Sequence, residues 1–321
     1  MQFRNVKLLK NFSFSAIIMV GMWIFLILWV LVVKPDIIAP ETINSILMFS
    51  IMLALVSLGQ SIILIAGGAG IDLSVGGIIS LVAVTASGLA NDQYVNFFLP
   101  IICITSGFFL GMINGLLVYW LQVFPLIITL GTFYIYSGIA LAITSGSAIS
   151  GVPNWATTFC RLEILAIPVP FLFFVIPIFC LMSFLYSKSP WGRWYYAMGE
   201  DENAAILAGV PVRFMRCLNY GICGALCGLA AFFSLGWLAT GRPNIGLNFE
   251  LESLAASLLG GVAIFGGRGN VISVLIAVLL IVSFKTVLLQ YGVNTVWQTG
   301  LVGALIILIV ALDFFKRTIE R

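Results

Sequence analysis

The stretch Gln60–Ile79, QSIILIAGGAGIDLSVGGII, decides how this chain is built. It lies in a strongly apolar region, yet holds five glycines within eleven residues (Gly67, Gly68, Gly70, Gly76 and Gly77) and one carboxylate, Asp72. Glycine runs break or kink a membrane helix, and the freed backbone groups must find partners in protein or in a wet cavity. A carboxylate at bilayer depth costs about 2.5 to 3.5 kcal/mol on insertion scales, so it seldom faces lipid. A broken helix with a buried acid marks a polar place inside a membrane bundle. Two roles stay open for Asp72: lining a solute pathway together with Ser74, or capping the helix that begins at Leu73, Ser74 and Val75.

Composition sets the class. Of 321 residues, 61% are hydrophobic and 8% charged, against about 25% charged in a soluble domain. No water-soluble fold of this length hides so much apolar surface, so the chain reads as a polytopic membrane protein in contact with the lipid bilayer. The net charge of +3 and the lack of any long basic cluster give nucleic acid no footing. Histidine is absent, which removes the commonest general base and proton shuttle. The six cysteines are scattered and form no disulfide framework. Cys223 and Cys227 share a helix face but have no further metal ligand nearby, so packing fits them better than a metal site.

Ten apolar runs follow one another. They are about Phe14–Val33, Ile43–Ala66, Leu73–Ala90, Phe98–Leu121, Phe124–Ile143, Ile167–Tyr186, Met215–Leu238, Phe249–Phe265, Val271–Gln290 and Thr295–Phe314. The first is too long for a signal core, and Lys34-Pro35 is not a small-residue cleavage site, so it reads as a retained span. The third and eighth are candidates for short or re-entrant segments. With the N-terminus inside, eleven of the fifteen basic residues (Arg4, Lys7, Lys10, Lys188, Arg193, Arg213, Arg216, Arg268, Lys316, Arg317 and Arg321) fall on inner segments. Three, Lys34, Arg161 and Arg242, fall outside, and Lys285 lies in the ninth span, where it is expected to snorkel. That bias is the positive-inside pattern. The expectation is an all-α polytopic membrane protein of about ten helices, one or two broken or re-entrant, forming a single domain over residues 1–321 with both termini cytoplasmic.

Within the spans, Gly107, Gly111 and Gly115 form a small-residue face on the fourth, and Gly224 and Gly228 do so on the seventh. Such faces let helix backbones approach closely in lipid. Two polar stripes keep helical spacing: Thr129, Thr132 and Tyr136 on the fifth span, and Glu250, Ser253 and Ser257 on the eighth. Stripes of this kind turn inward. Their hydroxyls suit a polyhydroxy solute and equally suit interhelical hydrogen bonds.

The polar loop Ser187–Arg213 carries the run Gly199-Glu200-Asp201-Glu202-Asn203-Ala204-Ala205-Ile206-Leu207-Ala208-Gly209. It reads as an acidic cap, a short helix and a glycine stop. Lying on the inner face, it is a docking knob for a cytoplasmic partner; three successive acids disfavour a mere headgroup contact, because the inner leaflet is itself negative. No G-x-x-x-x-G-K-[ST], G-x-S-x-G or H-E-x-x-H pattern occurs. The chain therefore moves a solute without transforming it, and any ATP energy comes from another polypeptide.

Five blocks in order resemble the ribose-type permease subunits of bacterial ABC importers. They are Gly70-Ile71-Asp72-Leu73-Ser74-Val75-Gly76, then Phe124-Pro125 through Gly131-Thr132, then Gly192-Arg193 through Gly209-Val210. Next come Phe249-Glu250-Leu251-Glu252-Ser253 with Leu259-Gly260-Gly261, and Phe265-Gly266-Gly267-Arg268-Gly269-Asn270. The resemblance implies a multi-pass protein of the bacterial inner membrane, paired with a second, identical or related permease subunit. It implies two cytoplasmic ATPase subunits that bind ATP and Mg, a periplasmic sugar-binding protein, and a pentose, hexose or related furanose as solute. Carried over residue by residue, Gly199–Gly209 is the coupling helix. The chain itself is expected to bind no cofactor and catalyse no reaction. The competing expectation is a self-sufficient secondary transporter or channel for a small polar solute, which calls for paired broken helices. Only one glycine-broken acid site is evident, because Glu250 stands in a different sequence context.

Overall fold

A computed structural model of the chain describes residues 14–33, 39–68, 70–90, 92, 94–304, 307 and 311. The apolar runs become helices because backbone in hydrocarbon must satisfy its own hydrogen bonds. In chain order these are α1 (Phe14–Val33), α2 (Pro40–Ile65), α3 (Val75–Leu89), α4 (Leu99–Leu121, entered through a 3-10 turn at Asn96–Phe98) and α5 (Pro125–Thr144). They continue with α6 (Asn154–Cys160), α7 (Ile176–Lys188, after a π turn at Phe171–Val175), α8 (Pro190–Glu200) and α9 (Glu202–Leu207). The last are α10 (Val212–Leu238), α11 (Phe249–Leu259) and α12 (Val271–Gln290), and residues 295–304 are helical again. Among the described residues six helices are long and apolar enough to cross a membrane: α2, α4 with its 3-10 turn, α5, α7 with its π turn, α10 and α12. Arg4, Lys7, Lys10, Lys34, Lys316, Arg317 and Arg321, and the end of the expected tenth span, lie outside the described residues.

The two short segments differ from full spans. At 1.5 Å per residue, the 15 residues of α3 cover about 22 Å and the 11 of α11 about 16 Å, against a hydrocarbon core of about 30 Å. α3 starts late because Gly67 and Gly68 take left-handed φ values of 76° and 70° that turn the chain out of helix. The run Phe249–Phe265 stops being helix at Leu259, where Gly260 and Gly261 follow, Gly261 at φ 84°. The polar stretch Ser187–Arg213 is mostly helical rather than a loop. Ser189 caps α8 by accepting from Gly192 N at 3.2 Å, Pro190 opens it, and Gly192, Tyr195 and Met198 bury one face. α6 lies between the fifth and sixth apolar runs.

The bundle is centred on α10, which packs along α4. The two small-residue faces are each other's partners. A Cβ on Gly107 would strike the Gly224 carbonyl, and one on Gly111 would strike the Tyr220 carbonyl. Lys285 of α12 does not snorkel: its Nζ pairs with Glu252 Oε1 of α11 at 2.7 Å. The nearby carboxylate gives the ammonium a closer partner than the interface would.

Four two-residue strands, β1 (Ile149–Ser150), β2 (Glu163–Ile164), β3 (Ile167–Pro168) and β4 (Thr240–Gly241), complete the structure. β2 and β3 form a hairpin, Glu163 opposite Pro168. β1 pairs antiparallel with β4, Ile149 opposite Gly241, and so ties the chain just beyond α5 to the end of α10. At the opposite end of α10 lie α8, α9, the end of α2 and the loop 260–270.

Candidate functional site

Beyond Ile65 the chain turns at Gly67 and Gly68 and returns without helix to Val75. The backbone groups this frees are met by side chains. Gln60, fully buried on α2, donates its amide to Asp72 O at 3.0 Å and accepts from Asp72 N at 3.2 Å. Thr129 Oγ1 of α5 donates to Ile71 O at 3.1 Å. An unwound segment is stable at membrane depth only where protein answers its backbone in this way.

Asp72 is completely buried. Its Oδ1 accepts from Ser74 N at 2.8 Å and Ser74 Oγ at 2.6 Å, an Asx turn that leads into α3. Ser74 Oγ in turn accepts from Asn114 Nδ2 of α4 at 2.5 Å. Asn114 Oδ1 accepts from the Tyr136 hydroxyl of α5 at 3.1 Å, and that hydroxyl also lies 3.1 Å from Leu110 O. The chain Tyr136–Asn114–Ser74–Asp72 thus runs head to tail into a carboxylate across three elements, an arrangement in which each bond polarises the next. Asp72 Oδ2 has no partner, nor does the buried hydroxyl of Tyr220, which lies within electrostatic reach of Asp72. Thr132, also buried, donates to Thr129 O within its own helix.

The eighth stretch brings a second broken span to the same place. From β4 the chain runs without helix to Asn248, at φ 73°, and then enters α11. Gly246 packs directly on the backbone of Gly76, and its N–H donates to Ser80 Oγ at 3.0 Å. Glu250 Oε1 accepts from Asn248 N at 3.2 Å, while Oε2 lies beside Gly76 without a partner. The N-termini of α3 and α11 therefore face each other, each with a carboxylate, and their dipoles add positive potential there. Glu250 thus stands beside the start of α3, close in space though distant in sequence. Ser253 and Ser257 are buried, and Ser257 Oγ reaches Ser57 O of α2 at 3.2 Å, a bond between helices. Asp72 Oδ2 and Glu250 Oε2 are thus both buried acceptors without a partner, near the starts of α3 and α11.

The inner-loop residues come together as a knob at the far end of α10. Asp201 Oδ1 caps α9 by accepting from Ala204 N at 3.0 Å, and Gly209 ends the turn at φ 82°. Glu202 pairs with Arg216 of α10 at 2.7 Å. Gly199 packs on the Ile65 carbonyl and the Gly267 amide, and Glu200 Cγ lies next to Gly267. Ala205 is buried; Asn203, Ala204, Ile206 and Leu207 project outward, Leu207 at 89% exposure. The exposed tip carries Ala204, Ile206 and Leu207, with Glu200 and Asp201 exposed beside them and Glu202 alone paired to the scaffold through Arg216. Tyr195 stacks on Tyr186 with ring centroids 5.0 Å apart, and Tyr196 donates to Gly269 O at 2.9 Å. Burial raises both the Tyr195 and Tyr196 phenols above their ordinary range, so they stay neutral. Among the described residues no three His, Cys, Asp or Glu side chains gather into a metal-binding group.

Residues 42–310 match the family described as "Branched-chain amino acid transport system / permease component". The chain belongs to this permease family. The permease is 34% identical over 274 residues to the D-allose transport system permease protein of Escherichia coli (strain K12), covering 85% of this chain and 83% of that one. It is 33% identical over 299 residues to the ribose import permease protein of Bacillus subtilis (strain 168), covering 91% and 90%. The autoinducer 2 import system permease protein of Escherichia coli (strain K12) is 31% identical over 268 residues, 81% and 80% of the two chains. No solved structure matches the permease.

Sequence reasoning missed four residues of this constellation: Gln60, Asn114, Tyr220 and Arg216. Asn114 carried a signal, as an amide inside an apolar span beside the small-residue face. Gln60 stood in the deciding stretch, but nothing in its spacing told that it would serve a segment twelve residues on.

Proposed function

We propose that this permease is the membrane-spanning subunit of a bacterial ABC importer for a sugar, a pentose, hexose or related furanose. In this reading the chain crosses the inner membrane about ten times, with both termini cytoplasmic. Two such subunits form the pore. A periplasmic binding protein delivers the solute, and two cytoplasmic ATPase subunits, which bind ATP and Mg, grip the apolar tip of α9. The observation that carries the reading is similarity over four-fifths or more of both chains to permeases named for D-allose, ribose and autoinducer 2 import. The contact of α3 with α11 supports it, because Asp72 Oδ2 and Glu250 Oε2 are left there as buried acceptors without a partner. Ser74, Thr129, Thr132 and Tyr136 hold that place in shape, Ser257 holds α11 against α2, and Ser253 bonds within α11.

The test is reconstitution in proteoliposomes with the ATPase subunits and binding protein, followed by uptake of labelled ribose and allose. ATP-dependent uptake is expected. Uptake by the purified chain alone, without an ATPase, would overturn the reading in favour of a self-sufficient secondary transporter, which the paired broken helices also suit.

A further inference from the structure

The knob and the first broken span are joined by a junction made almost wholly of backbone. Gly67 packs on Gly199, Gly266 packs on both, and Gly267 N donates to Ile65 O at 3.0 Å. No side chain lies between these strands of chain to absorb a displacement, and packed interiors transmit strain because they compress little. Beside this junction stands Arg216, one helical turn before Tyr220 on the same face of α10. Its Nη2 pairs with Glu202 Oε2 of α9 at 2.7 Å. The same Nη2 lies over Gly68, so closely that a Cβ on that residue would collide with it. Gly68 also takes φ 70°, a conformation that favours glycine on its own account. Four residues further on lies Asp72.

We propose that Arg216 is the positioning residue that ties the docking helix to the broken span, so that a displacement of α9 moves Gly67 and Gly68 and, through them, Asp72. The proposal rests on the reading of the chain as an ATP-driven permease. The alternative is an ordinary surface ion pair. The side chains of Arg216 and Glu202 are 26% and 39% exposed, and pairs of that kind add little to stability. That is what makes the two ideas separable: losing the pair barely affects folding, so a loss of coupling cannot be ascribed to unfolding.

The test uses the complete importer, with ATPase subunits and binding protein, in proteoliposomes, and reads solute moved per ATP hydrolysed. Arg216→Gln and Glu202→Gln are each expected to retain the ATPase subunits and hydrolysis while that ratio falls about 2- to 30-fold, the range of coupling effects carried by intermediate residues. The charge-reversed double variant, Glu202→Arg with Arg216→Glu, is expected to recover most of the ratio, which loss of a merely structural contact at either site would not predict. Should Arg216→Gln fail to assemble, Glu202→Gln, on the more exposed side chain, carries the same test. An unchanged ratio in the assembled single variants, or a double variant no better than either, overturns the proposal. Uptake by the unaltered complex without ATP hydrolysis would instead overturn the reading of the chain as ATP-driven, and the coupling role with it.

Discussion

Asp72 does its structural work through one oxygen. Oδ1 accepts from Ser74 N and Ser74 Oγ, while Oδ2, equally buried, accepts nothing. Asp72→Asn keeps an oxygen at the Oδ1 position, and Asn matches Asp in such turns. It also removes a buried carboxylate whose insertion costs about 2.5 to 3.5 kcal/mol. The Asn variant is therefore expected to fold as well as the parent, or up to about 3 kcal/mol better. Asp72→Ala also removes the carboxylate, but it leaves Ser74 N without its acceptor. That costs about 1 to 3 kcal/mol, so the Ala variant should unfold before the Asn variant by that margin. Unfolding in mixed detergent ranks the stabilities, and ATP-dependent uptake in proteoliposomes reads function. Uptake by the Asn variant should fall at least about tenfold, roughly 1.4 kcal/mol of lost interaction, because an amide nitrogen with two donors replaces the acceptor Oδ2. Two results would refute the reasoning. An Asn variant as unstable as the Ala variant would mean that Oδ2 is structurally engaged. A stable Asn variant with full uptake would reduce the acid to a cap.

Gly111→Leu should lower the unfolding midpoint by about 1 to 3 kcal/mol or more, since even its Cβ meets the Tyr220 carbonyl; an unchanged midpoint would disprove the close α4–α10 approach. Lys285→Met strands the Glu252 carboxylate, only 12% exposed at its side chain, and should cost about 1 to 3 kcal/mol, whereas adding Glu252→Leu should restore most of it; a double variant less stable than the single would contradict the pair. Leu207→Asp, at an 89% exposed tip, should leave stability within about 0.5 kcal/mol while abolishing co-purification of the ATPase subunits. Retained binding would place the docking surface elsewhere.

Much of this could be read from residue order. The apolar runs became helices close to where expected, because a helix in hydrocarbon follows from composition alone. The stripe Thr129, Thr132 and Tyr136 is buried as its spacing demanded, and Asp201 and Gly209 begin and end α9 by local chemistry. α8 went unread because its aromatic, glycine-bearing sequence looks loop-like until Tyr186 and the end of α2 give its face something to cover. The partners of Lys285 and Glu202 went unread because each lies on another helix, 33 and 14 residues away.

The residue order of this permease was enough to establish a membrane bundle, a helix broken by the glycines from Gly67 and an acid that seldom faces lipid, since each follows from local chemistry or from the cost of charge in lipid. Only the folded chain decided that α11 starts beside the start of α3, that Asn114 joins Tyr136 to Asp72, and that Glu202 pairs with Arg216. Those pairings depend on which helices lie side by side, and the small-residue face that holds α4 against α10 fixes distance without naming a partner.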